Sequence, residues 1–110
     1  MPGTFELKPA AGGKFMFNLK AANNEIILTS ELYNSKDAAE NGIESVRTNA
    51  PVDQRYERRE STRGEPYFVL TATNGQTIGQ SEMYSSENAR DNGILSVKAN
   101  APTATIDEAD

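Results

Sequence analysis

Tyr33 and Tyr84, in a sequence that holds no histidine and no cysteine, are candidates for phenolic acid or base work or for stacking. A catalytic phenol needs a neighbour that lowers its pKa, and none stands beside either tyrosine. Both read instead as amphipathic rings that close a core edge with the hydroxyl in water. The missing thiols and imidazoles exclude disulfides, thiol nucleophiles and iron–sulfur clusters, and remove the usual soft and imidazole metal ligands. Gly12-Gly13-Lys14 lacks the strand–loop–helix setting of a phosphate-binding loop. No catalytic residue, metal ligand or cofactor site is assigned from these types and spacings; a carboxylate pair would have to be assembled by the fold.

Arg55, Arg58, Arg59 and Arg63 are interleaved with Tyr56 and followed by Tyr67. Basic residues among aromatics can mark a nucleic-acid surface. Here Glu57, Glu60 and Glu65 sit between them, and the chain carries a net charge of −5, so a solvated hairpin is the stronger reading and nucleic acid is disfavoured. Asp107, Glu108 and Asp110 lack the spaced, glycine-turned loop of a calcium site and read as a frayed, solubilising tail.

The elements that position these residues come in two copies. A shift of 51 residues lays the chain on itself without a gap, and 20 of the 47 pairs from 5/56 to 51/102 are identical. Self-similarity of that extent marks a tandem duplication. The repeats span 5–51 and 56–102, and 103–110 form a short final strand and the acidic tail. Phe5 and Leu7, then Phe15, Phe17, Leu19 and Ala21, alternate with polar residues and predict strands with one buried face. Asn74-Gly75 predicts a two-residue hairpin, and Ile26-Ile27-Leu28-Thr29 a third strand. Ser35 and Ser86 are placed to cap helices, with Asp37 and Glu87 in the first turns. Ala39, Ile43, Val46 and Ala50 recur at helical spacing, and Pro51 and Pro102 stop the helices. Gly42 and Gly93 lie inside those helices at a cost of about 1 kcal/mol relative to Ala. Close helix–sheet approach is the expected compensation, with Asn41 and Asn92 capping a neighbouring loop; the functional alternative is a small ligand cleft beside each glycine.

A chain of 110 residues fits one domain. Met-Pro-Gly-Thr-Phe at the start has neither the basic nor the apolar region of a signal peptide, and no apolar run reaches membrane-spanning length. A cytoplasmic protein without membrane contact is the expectation.

Ala21-Ala22-Asn23-Asn24-Glu25-Ile26-Ile27-Leu28-Thr29-Ser30-Glu31, Tyr33-Asn34-Ser35-Lys36 and Ala39-Glu40-Asn41-Gly42-Ile43-Glu44-Ser45-Val46 together resemble the repeat unit of the YegP-like family, small and mostly bacterial proteins of uncharacterised function. The resemblance implies an α+β fold: two tandem β-β-β-α(-β) repeats forming one largely antiparallel sheet, with two helices on one face and C-terminal strands exchanged between repeats. Thr103-Ala104-Thr105-Ile106 would be the final strand. The second copy departs from the pattern where Arg58 replaces Leu7 and where Glu65-Pro66 replaces Lys14-Phe15. The family brings no catalytic or binding residues to carry over.

Positions identical in both copies serve the shared scaffold, so a copy-specific function belongs where the copies differ. Met16, Asn18 and Lys20 point outward in the first copy; Tyr67, Val69 and Thr71 replace them in the second. Tyr67 and Val69, rimmed by Arg58 or Arg59, form the candidate partner-docking patch, since Tyr and Arg anchor interfaces. The favoured function is a non-enzymatic binding or protein-interaction module acting on a protein partner. The alternatives are a nucleic-acid-associated accessory protein, or an enzyme using carboxylate, Tyr or Lys chemistry at the repeat junction. Duplication supplies each unit with its partner in cis, so a monomer that mimics a dimer is expected.

Overall fold

The computed structural model describes residues 3–108. The first unit contributes β1 (Thr4–Ala10), β2 (Lys14–Lys20), β3 (Ile26–Ser30) and α1 (Lys36–Asn49). The second contributes β4 (Tyr56–Glu60), β5 (Pro66–Thr71), β6 (Thr77–Gln80), α2 (Glu87–Asn100) and β7 (Thr105–Glu108). All seven strands join one sheet in the order β4-β5-β6-β3-β2-β1-β7. Every pairing is antiparallel except that of β1 with β7. The units meet at β3 and β6 through two residue pairs, Thr29 with Gln80 and Ser30 with Gly79.

Period-two alternation sends Phe5, Leu7, Phe17 and Leu19 from one unit, and Tyr56, Phe68 and Leu70 from the other, to the face that both helices cover. Ile43 and Val46 of α1 and Ile94 and Val97 of α2 close over them, all at 1% exposure or less. Residues of both repeats fall in one hydrophobic cluster. Ser35 accepts the Ala38 N–H and Ser86 the Ala89 N–H, each at 3.0 Å, so the predicted caps form.

The hairpin turns differ from the two-residue expectation. Ala72 N–H donates to the Gln76 carbonyl, Gly75 N–H donates to the Ala72 carbonyl, and Gly75 sits at φ 84°. This is a three-residue loop with a left-handed third residue. Asn24 fills that place in the first unit at φ 73°, which an asparagine tolerates better than most side chains. The Pro66 replacement keeps half of its pairing. In the first unit Phe15 and Tyr33 exchange both backbone bonds; in the second, Tyr84 N–H still donates to the Pro66 carbonyl at 2.8 Å, but proline has no N–H to return.

The final strand starts at Thr105, two residues later than expected, because Ala101–Thr103 form a 3-10 turn. The acids Asp107 and Glu108 are paired strand residues rather than a frayed tail, and Glu108 forms an ion pair with Lys36. Asp110 lies outside the described residues. Strand transfer between units is lopsided. The stretch after α1 runs directly into β4 beside β5, whereas the seat beside β2 is taken by β1, so β7 is added outside β1.

Candidate functional site

The duplication makes β1 and β4 equivalent, yet only β1 has an outer neighbour. In an antiparallel pair, successive residues turn their backbone groups alternately to one side and the other. Phe68 turns toward β6: its N–H donates to Ser81 Oγ at 3.0 Å and its carbonyl accepts the Ser81 N–H at 2.9 Å. Its partner across β4–β5 is Arg58. The backbone N–H and carbonyl of Arg58, and those of Glu60, therefore point outward from the sheet and pair with no described residue. Tyr56 N–H is already taken by the Asp53 carbonyl.

The patch residues divide around this edge. Arg59 lies opposite Tyr67 and Glu57 opposite Val69 on the face without helices. Arg59 Nε and Nη2 donate to Glu57 Oε1 at 3.0 and 2.6 Å. Arg58 points the other way, beside Phe68 and toward the helices, where its Nε donates to Asp91 Oδ1 at 3.2 Å and its Nη2 stands 3.9 Å from Asp53 Oδ1. Val69 is not an accessible contact: at 1% exposure it is buried between its cross-strand partners Glu57 and Gln80. Asn18, its equivalent, is likewise buried, at 4%. Thus Tyr67 and Arg59 flank the β4 edge from one face, Arg58 flanks it from the other, and Val69 is buried.

A second correspondence, missed by motif reading, links the two edges. At β1 the Arg47 guanidinium lies over the Phe5 ring at 5.5 Å, and its Nη2 donates to the Ala104 carbonyl at 2.6 Å, holding the chain as it enters β7. The equivalent residues at β4 are Lys98 and Tyr56, with Lys98 Nζ 5.6 Å from the ring centre. No strand enters there, and Lys98 instead donates to Asp53 Oδ1 at 2.9 Å. Asp53 therefore receives both Lys98 and Arg58, and the Lys98 hydrogen bond above all holds its carboxyl below the usual range. Asp91 is also held low, chiefly by Arg58. The 51-residue shift pairs Arg47 with Lys98 and Phe5 with Tyr56, so the signal was present in the sequence.

The Tyr33–Gly42 cleft forms a second candidate. A cleft of about 410 Å³ lies where α1 meets the β5–β6 hairpin, with Tyr33, Asn41, Gly42 and Gln76 in its wall. Tyr33 stacks on Phe17 at 6.0 Å and Tyr84 on Phe68 at 6.3 Å. Neither hydroxyl bonds to a described residue. Asn41 and Asn92 are exposed, and neither side chain caps a loop among the described residues. Burial first, and then Glu31, raises the Tyr33 pKa; burial, Glu82 and Glu25 raise that of Tyr84. Such phenols stay protonated near neutrality and act as donors, whereas a phenolate base needs the opposite shift. A wider groove of about 890 Å³ follows the β3–β6 seam past Glu25, Glu31 and Glu82. Among the described residues no three acids gather in a metal-binding group, and no helix is long and apolar enough to cross a membrane.

A family model described as a domain of unknown function, DUF1508, matches residues 10–57 and again 61–108. The chain belongs to this family. The two DUF1508 matches are offset by the same 51 residues as the repeat but begin at a later phase, so each DUF1508 unit reads strand, strand, helix, strand. A UPF0339 protein of Bordetella pertussis is 62% identical over 104 residues, covering 94% of this chain and 93% of its own. The UPF0339 protein YegP of Escherichia coli is 51% identical over 106 residues, 96% of each chain. Two solved structures share the fold. The solution structure of a UPF0339 protein from Shewanella oneidensis superposes with a TM-score of 0.92 at 53% identity, covering 98% of this chain and 92% of that one. That of E. coli YegP, a protein of unknown function, gives 0.93 at 50% identity over 98% of this chain and 93% of that one. The resemblance to YegP-like proteins and the α+β tandem-repeat architecture are thereby established, within a family of uncharacterised function.

Proposed function

We propose that this DUF1508 protein is a non-enzymatic, monomeric protein-interaction module that engages its partner at the β4–β5 end of the sheet. One observation carries the reading: β4 is the unpaired equivalent of an edge that the fold covers elsewhere with β7. Tyr67 and Arg59 on one face and Arg58 on the other present the residue types that anchor interfaces. The short, highly charged β4 also has the features by which natural edges resist indiscriminate strand pairing, so what pairs there must match its charges. The protonated tyrosines and the absence of a converging acid cluster among the described residues favour binding over catalysis.

The test is affinity capture from cells with the wild-type chain and with a Tyr67→Ser/Arg59→Glu variant of unchanged circular dichroism. Partners bound by the wild type are lost by the variant. An identical partner set, bound equally well, contradicts the reading.

A further inference from the structure

Resting on that reading, the geometry points to a specific ligand class for the β4 edge: an extended acidic segment of a partner protein that adds in parallel as an eighth strand, with an apolar residue opposite Tyr56 and a carboxylate opposite Arg58.

The template is internal. In the β1–β7 pair, Phe5 stands beside Ile106, Glu6 beside Asp107 and Leu7 beside Glu108. Thr105 N–H donates to the Gly3 carbonyl, and Arg47 holds the Ala104 carbonyl. Carried to β4 by the repeat, the same seat has Tyr56 where Phe5 stands, Arg58 where Leu7 stands and Lys98 where Arg47 stands. The ring-and-cation anchor that receives β7 is thus duplicated at an edge with no strand. Backbone groups of Arg58 and Glu60 face the vacant side, and main-chain pairing gives strand addition its affinity.

The one chemical change between the seats defines the ligand. Leu7 is apolar, whereas Arg58 is a cation on the same face. Its carboxylate contacts, Asp91 at 3.2 Å and Asp53 at 3.9 Å, are both to exposed side chains, as is the Lys98 contact to Asp53. An incoming Asp or Glu opposite Arg58 can share or replace Asp53 between Arg58 and Lys98. An apolar residue one strand step earlier on that face lies alongside Tyr56, as Ile106 lies alongside Phe5. The pattern apolar–any–acid results, and Ile106-Asp107-Glu108 fits it. The chain's own β7 is held at β1 by Arg47 and by the Lys36–Glu108 ion pair, and its tether gives it a high local concentration there. A segment from another protein is therefore the occupant.

A fluorescently labelled peptide with the sequence of residues 101–110 serves as probe against the full chain, read by anisotropy. The expected result is saturable one-to-one binding that falls at least tenfold with Arg58→Glu, and also when the Asp and Glu residues of the peptide are changed to Lys. Arg58→Pro removes the guanidinium and an outward N–H together, an N–H loss that an edge strand tolerates, and is expected to abolish binding while circular dichroism is unchanged. Should that variant misfold, amide-shift mapping of the peptide on the wild-type chain decides the matter: shifts at 56–60 support the proposal, and shifts at 4–7 overturn it by showing exchange with β7. Equal affinity of wild type and Arg58→Glu overturns it. So does a concentration-dependent doubling of mass without peptide, which would place a second copy in the seat. If the peptide fails while cellular partners still depend on Tyr67 and Arg59, the strand-addition inference falls and the docking reading stands.

Discussion

The Tyr33 hydroxyl end lies directly against Gly42. A β-carbon on that glycine would stand 2.6 Å from Tyr33 Cζ and 3.1 Å from a Phe17 ring carbon. Tyr84 and Gly93 repeat the relationship, with 2.7 Å to Tyr84 Cζ. The helical glycine is the space into which the strand-to-helix tyrosine fits while stacking on the phenylalanine beneath.

Gly42→Ala and Gly93→Ala are therefore expected to lower stability by ~1–3 kcal/mol through overpacking, despite the ~1 kcal/mol helix preference of Ala. In a Tyr33→Leu background the Gly42→Ala penalty should shrink or reverse. Urea unfolding of the double-mutant cycle measures it; a Gly42→Ala effect independent of residue 33 would contradict the packing account.

Ser30 and Ser81 splint the sheet where β3 and β6 end. Ser30 Oγ accepts the Phe17 N–H at 2.9 Å and donates to the Glu31 carbonyl at 2.8 Å; Ser81 does the same for Phe68 and Glu82. Ser30→Ala or Ser81→Ala leaves a buried N–H unpaired, at an expected cost of ~1–3 kcal/mol each. Ser→Cys, a weaker acceptor of similar size, is expected to recover less than half of it in the same unfolding measurement.

Arg47 and Lys98 occupy equivalent positions but hold different things. Arg47→Met removes a charged hydrogen bond to the Ala104 carbonyl and is expected to cost ~1.5–3 kcal/mol and to loosen β7. Lys98→Met removes an exposed ion pair with Asp53 and is expected to change the melting temperature far less. Equal losses would mean that Arg47 does not retain β7.

Tyr33 and Tyr84 are expected to ionise above the ordinary tyrosine value, as followed by tyrosinate absorbance in an alkaline titration. A group raised in the folded state gives stability that is fully present below the unfolded pKa, about 10, and lost as pH rises through the folded one. Tyr33→Phe should therefore reduce the alkaline loss of stability. Ionisation of either tyrosine below its ordinary value would reopen phenolate catalysis.

Most of the scaffold was legible because the repeat, the period-two strands and the serine caps are local signals that tertiary packing reinforces. The turn at Asn74-Gly75 was not, since both two- and three-residue loops use a residue tolerant of positive φ. The sequence reading left Arg58 and Arg59 as alternatives beside Tyr67, although alternation fixes which side chains share a face and sets Arg59 with Tyr67. Arg58, one residue away, fell on the opposite face for the same reason. The burial of Val69 depends on its cross-strand neighbours, which a linear sequence does not rank. Arg90, where α1 has Ala39, is buried to 9% exposure with its guanidinium on Asp91, an exchange that helical periodicity misreads as polar surface. The position of β7 outside β1 follows from which strand seat is already filled, a property of the whole sheet.

Amide hydrogen exchange at Leu7 and Arg58, the equivalent outward-facing residues of β1 and β4, shows whether β4 is an open edge built to receive a strand. In the isolated protein Leu7, covered by β7, is expected to be protected and Arg58 to exchange near its unprotected rate, with Arg58 gaining at least tenfold protection when the acidic peptide is added. Equal protection of Arg58 and Leu7 in the isolated protein, or no gain at Arg58 with saturating peptide, would contradict the account.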